Sequence, residues 1–119
     1  MKIAVSAQGP GLDSQVDPRF GRAAYLIIID AVSSEIEVID NAENLNAFKG
    51  AGIQAATMIC DKKADVLLTG YCGPNAFKAL DAARVKVAGD MSGSVREAVA
   101  AFADGNVKLV SEPNAEGHW

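Results

Sequence analysis

Two short stretches carry the residues best suited to chemistry. The first is Thr69-Gly70-Tyr71-Cys72-Gly73-Pro74-Asn75-Ala76-Phe77. It follows an apolar run, Val66 to Leu68, that reads as a buried strand. It leads into Phe77 and Leu80 with Ala76, Ala79 and Ala83, which read as a helix. Pro74 suits the first helical position, where a missing N–H costs nothing. A strand, a glycine turn and a helix N-terminus gather free N–H groups and the positive end of a helix dipole, a place that attracts anions. Cys72 stands at its mouth. A helix N-terminus lowers a thiol pKa, and soft metals prefer thiolate. A small residue filling a tight turn explains Cys72 equally well. The second stretch is Asp17-Pro18-Arg19-Phe20-Gly21-Arg22-Ala23. Two planar guanidinium groups bracket an aromatic ring, and such donors suit a diffuse anion. The plainer alternatives are an Asp17–Arg19 ion pair within the loop, a solvated Arg22 and a hydrophobic plug at Phe20.

Other candidates are weaker. Met91, in the glycine loop Gly89 to Gly93, offers a thioether, but methionine serves more often as packing material. Cys60 reads as a core residue. The two cysteines show neither redox nor zinc spacing, and both read as reduced thiols. His118, the single histidine, lies beside Trp119 in a polar tail.

The surrounding pattern is α/β. Ile3 to Val5, Ala24 to Ile29, Glu35 to Ile39, Val66 to Leu68 and Val85 to Ala88 read as strands, and Val107 to Val110 as a possible last one. The third alternates and reads as half exposed. Ser33-Ser34 reads as the hairpin turn before it. Residues 40 to 49 form a polar connection. Gly50 to Lys63 reads as a helix with Ile53, Ala56, Ile59 and Cys60 on its inner face. Pro74 begins a second helix. Ser94 with Glu97 forms a capping box for a third, which carries Val95, Ala98, Val99 and Phe102 and ends at Gly105. The reading is one domain over 1–110 and a loose tail over 111–119. Later strands joined through helices favour parallel pairing, and ligands then bind at the carboxyl ends of the parallel strands. The loops from Ala7, Thr69 and Gly89 gather there, joined by the helix start near Gly50 if the third strand runs parallel to the first. The expected site is a shallow anion cradle built largely of backbone.

Composition narrows the function. The chain has 119 residues and a net charge of −4, which argues against general affinity for nucleic acid. No apolar run approaches membrane-spanning length and no signal peptide opens the chain, so the expectation is a cytoplasmic protein without a membrane partner. The first strand has no carboxylate, so a two-metal nuclease is rejected. No GxGxxG follows the first strand, which weakens a nucleotide-binding module without removing it. A protein-binding module is a third reading.

Four segments in order resemble one family: Asp17 to Ala23, Gly50-Ala51-Gly52-Ile53-Gln54-Ala55-Ala56, Gly70 to Phe77, and the pattern Gly93, Val95, Glu97, Ala98, Phe102, Gly105. Together they resemble the dinitrogenase iron–molybdenum cofactor-binding family, which includes nitrogenase cofactor carriers and the orange proteins of sulfate-reducing bacteria. The orange-protein branch is the favoured one. The resemblance implies a ribonuclease H-like three-layer α/β fold, with a mixed five-stranded sheet and helices on both faces. It implies non-catalytic binding of a metal–sulfur cluster. That cluster is a molybdenum–copper sulfide cluster in orange proteins, and iron–molybdenum cofactor or a precursor in the nitrogenase carriers. The cluster-binding residues implied are Arg19, Phe20, Arg22, Gly50, Gly52, Gly70, Cys72, Gly73, Asn75, Met91, Ser92 and Gly93, with Cys72 as the candidate metal ligand. The expected assembly is a monomer or weak dimer.

Overall fold

The computed structural model describes residues 1–45 and 50–113. Six strands form one mixed sheet, ordered β3-β2-β1-β4-β5-β6: β1 Lys2–Ala7, β2 Tyr25–Asp30, β3 Ile36–Asp40, β4 Val66–Leu68, β5 Lys86–Gly89 and β6 Lys108–Val110. The alternative of five strands is thus corrected. The three residues of β6 pair antiparallel with β5 and close that edge. Four helices accompany the sheet: α1 Ala42–Leu45, α2 Ala51–Asp61, α3 Pro74–Ala82 and α4 Val95–Ala103.

Strands β1, β4 and β5 are mutually parallel. Strand β2 is antiparallel to both β1 and β3, so β3 runs in the direction of β1. The segment after Asp40 therefore emerges at the same edge as those after Ala7, Leu68 and Gly89. This satisfies the condition for the start of α2 to join the other loops.

The pleat sends alternate residues to opposite faces. Ala4, Leu26, Ile28, Leu67 and Val87 meet Ala55, Ala56, Ile59, Ala76 and Leu80 of α2 and α3. Ile3, Val5, Ile27, Leu68 and Ala88 meet Val95 and Ala98 of α4. Helices thus cover both faces. Ile53 departs from the expected inner face of α2: it is 45% exposed, and the helix buries Ala51, Ala55, Ala56 and Ile59 instead. Ile53 stands in the first turn of α2. Cys60 is half-buried against the core, and both cysteines are free thiols. Strand β3 lies at the sheet edge as expected, but it is more exposed than its alternation suggests, since Ile36 (46%) and Val38 (41%) are uncovered too. Among the described residues no helix is long and apolar enough to cross a membrane.

Candidate functional site

The carboxyl edge of the sheet is held by short-range polar ties. Ser6 Oγ, at the end of β1, donates to Asp17 O at 2.7 Å and lies 2.7 Å from Thr69 Oγ1 at the end of β4; all three residues are buried. Tyr71 N donates to Pro18 O at 2.6 Å, and Phe20 N donates to Tyr71 O at 3.2 Å. The Arg19 loop therefore runs beside the turn into α3, with a backbone bridge between Arg19 and Tyr71. Gly70 permits that approach. A Cβ there would lie 2.7 Å from Pro18 Cα and carbonyl oxygen.

Further along the same loop, Gly21 rests on the first turn of α2. A Cβ on Gly21 would come within 2.6 Å of Gly52 N. Gly52 faces α3 in turn, its Cβ position being 3.1 Å from Ala76 Cβ. The N-termini of α2 and α3 are thereby neighbours, and the segment Arg19 to Arg22 spans both. Their caps are Gly50 (φ 81°) and Gly73, and neither supplies a side-chain acceptor. Backbone N–H groups at a helix start that lack such a cap are available to an external anion. Arg19 adds positive charge at the rim. Its side chain is 48% exposed, with Nε 3.8 Å from Asp17 Oδ1, while Asp17 Oδ1 accepts from Arg19 N at 3.0 Å. Arg22 is half-buried, and Asn75 and Gly50 are exposed.

Expected residues nearby play other parts. Phe20 is 1% exposed and belongs to the core under α2 and α3, so it is the plug and not a surface contact. Cys72 has no exposed surface and lies in the same core. Its Sγ lies 3.8 Å from Gly73 O. Burial pushes its pKa up to about 12. The direction is opposite to the lowering expected of a thiol beside a helix N-terminus, because burial disfavours the charged thiolate. The described residues hold no group of three or more His, Cys, Asp and Glu placed to take a metal ion. His118 and Trp119 lie outside the described residues.

Met91, Ser92 and Gly93 belong to the other side of this edge. Met91 is half-buried against the α4 core. Gly93 (φ 83°) offers its carbonyl to Val16 N at 2.8 Å. The start of α4 behind them is fully used. Val95 N donates to Ser14 O, Arg96 N to Leu12 O, and Glu97 N to the Ser94 Oγ of the capping box. The backbone N–H of Ser94 holds the Glu97 carboxyl below the usual carboxylate range, with the Ser94 hydroxyl adding to it.

Three residues at this edge went unnoticed in the sequence. Tyr71 is 40% exposed between the Arg19 loop and α3. Asn41 and Asn44 are buried polar residues inside what reads as a plain polar connection. A pair of asparagines three apart after a strand is the signal, though a weak one.

The chain is similar to proteins of known structure. Residues 1–117 match the profile of the family described as dinitrogenase iron-molybdenum cofactor. The apo form of the orange protein from Desulfovibrio gigas superposes with a TM-score of 0.92 at 50% identity, covering 96% of both chains. A putative NifB protein from Thermotoga, determined by NMR, gives 0.85 at 34% identity over 98% of each chain. A putative dinitrogenase from Methanocaldococcus jannaschii gives 0.70 at 16% identity, covering 95% of this chain and 97% of that one, and shows the fold alone. No curated protein matches the chain.

Proposed function

This chain belongs to the dinitrogenase iron-molybdenum cofactor family, and from that premise we propose that it binds and carries a preformed, anionic, sulfide-bridged molybdenum cluster of the molybdenum–copper type without turning it over. The coarser part, a cofactor-binding or carrier role, is what the family and the orange-protein relative support. The observation that carries the finer part is the pair of neighbouring helix starts, α2 and α3, both with glycine caps and spanned by Arg19 to Arg22. That donor set fits a large soft anion held by N–H groups and guanidinium charge. It does not fit a bare metal ion, which needs several ligating side chains. The Cys72 thiol, enclosed and ionising near 12, is a poor ligand in this conformation. Arg19, Arg22, Gly50, Gly52, Gly73 and Asn75 are the residues proposed to face the cluster, and the proposed working form is a monomer or weak dimer.

A second reading, a carrier of iron–molybdenum cofactor or a precursor, is supported by the family description and by the putative NifB relative. Anaerobic reconstitution with tetrathiomolybdate and copper(I), followed by gel filtration and elemental analysis, tests both. The proposal expects a coloured complex at near-stoichiometric ratio that elutes with the protein. Colour that elutes only with small molecules overturns it. Uptake only when iron replaces copper favours the second reading.

A further inference from the structure

Two buried asparagines connect the parts of this edge. Asn41 is 1% exposed and Asn44 6%. Asn41 Nδ2 donates to Gly21 O at 3.3 Å and to Ala23 O at 2.8 Å, the two carbonyls on either side of Arg22. Asn44 Nδ2 donates to Asn41 Oδ1 at 3.1 Å and to Ala51 O at 2.8 Å. Ala51 stands between Gly50 and Gly52 in the first turn of α2. One continuous run of hydrogen bonds thus leads from the peptides flanking Arg22 to the start of that helix. It spans the place where the Gly21 and Gly52 backbones touch.

We infer that Asn41 and Asn44 are positioning residues that hold Arg22 in register with the N-terminus of α2, so that guanidinium charge and helix N–H groups meet one anion together. The inference rests on the reading of this edge as the cluster site.

Three physical points support it. Both amides turn donors towards carbonyls. A flipped Asn44 would set its Oδ1 against Ala51 O, acceptor against acceptor, so the orientation is fixed by its partners. Both donations of Asn44 Nδ2 go to the link itself, to Asn41 Oδ1 and Ala51 O, while among the described residues its Oδ1 meets no donor. Finally, fixing both peptides beside Arg22 before binding removes an ordering cost that binding would otherwise meet.

The test has two arms on the full chain. In the ligand-free protein, Asn44→Ala should speed amide hydrogen exchange at least tenfold in both Gly21 to Ala23 and the first hydrogen-bonded amides of α2, Gln54 to Ala56, and leave β5 and α4 unchanged. Asn44→Ser serves the same end where Asn44→Ala does not fold. In the second arm, tetrathiomolybdate with copper(I) should bind at least tenfold more weakly, and the visible circular dichroism induced in the bound cluster should fall. Ile59→Val, a core change towards the far end of α2, is the control for lost stability, and it should keep affinity and dichroism. Exchange that stays unchanged in either segment overturns the inference. So does faster exchange with affinity and dichroism equal to the control, which makes the link structural only. A wild-type chain that takes no cluster overturns the function proposed above, and the exchange arm then still decides whether the asparagines join loop to helix.

Discussion

Two helix starts on opposite faces of the same sheet edge make an instructive pair. The starts of α2 and α4 both lie at the carboxyl ends of the strands, and each has a glycine at or next to its cap, Gly50 and Gly93. Yet α4 is closed: its first donors meet Leu12, Ser14 and Ser94. The start of α2 has a glycine cap and, among the described residues, no side-chain cap, and α3 beside it is alike. A helix dipole at the right edge is therefore not enough to mark a site. What matters is whether its N–H groups are already occupied and whether fixed positive charge stands beside them. Arg19 and Arg22 stand with α2 and α3. On the other side Arg96 pairs with Asp13 at 3.0 Å, as Arg19 pairs more loosely with Asp17 at 3.8 Å, so the contrast rests on the occupied N–H groups of α4.

The strongest way to break this comparison is to remove the charge from the open side. Arg19→Ala and Arg22→Ala should each weaken cluster binding by roughly 1–2 kcal/mol, about five- to thirty-fold, as expected for charge-assisted contacts at a rim open to water. Lysine at either place should restore only part, because it lacks the planar fork. Added salt should weaken the wild-type complex by screening. Titration by visible absorption measures all three. A double alanine variant with wild-type affinity would move the site off this loop.

The sequence made some of this contrast legible and hid the rest. Strands β2 and β4 announce themselves as unbroken apolar runs because both of their faces are covered. The capping box at Ser94 and the proline at the start of α3 are local signals, and each stands where its spacing places it. The site is less legible because it depends on pairings distant in the chain. Leu12 and Ser14 occupy the start of α4 from some eighty residues away, and no local pattern records that. Cys72 reads as standing at the mouth of the turn, yet the chain folds it into the α2–α3 core beside Phe20, whose reading as a plug holds. Ile53 looks inward by composition, but it stands in the first turn of α2 and is 45% exposed. The four described residues of α1 are too few for any periodicity to show.

Cys72 sharpens the contrast between rim and core. Burial pushes its thiol from 9.0 up to about 12. Below pH 9 the thiol keeps its proton in folded and unfolded chains alike, and stability is whole. As pH rises from 9 towards 12, only the unfolded chain releases the proton, so stability falls, by up to about 4 kcal/mol at the far end. Burial raises the Cys60 thiol too, with Asp61 adding to it, so its contribution has the same sign. Cys72→Ala should flatten this alkaline loss, seen as a smaller drop in urea midpoint between pH 8 and pH 10.5. It should also leave the colour of a reconstituted cluster intact. An unchanged alkaline slope would mean that the thiol is open to solvent. Loss of colour with the fold preserved would return Cys72 to the rim as a ligand.

The smallest effect belongs to the closed side. Ser94→Ala removes the side-chain acceptor of Glu97 N and one half of the capping box. Such a loss costs about 1 kcal/mol of stability, measurable as a lower urea midpoint. Cluster affinity should stay within about twofold, less than 0.5 kcal/mol. The reason is geometric. Val95 N remains bonded to Ser14 O at 2.9 Å and Arg96 N to Leu12 O at 2.8 Å, so freeing one further N–H does not open the helix start to an anion. Ser92 and Gly93 would then be loop residues that shape the edge without touching the cargo. A Ser94→Ala protein that gains or loses affinity tenfold would put α4 inside the site. The division between an open and a closed side would then have to be abandoned.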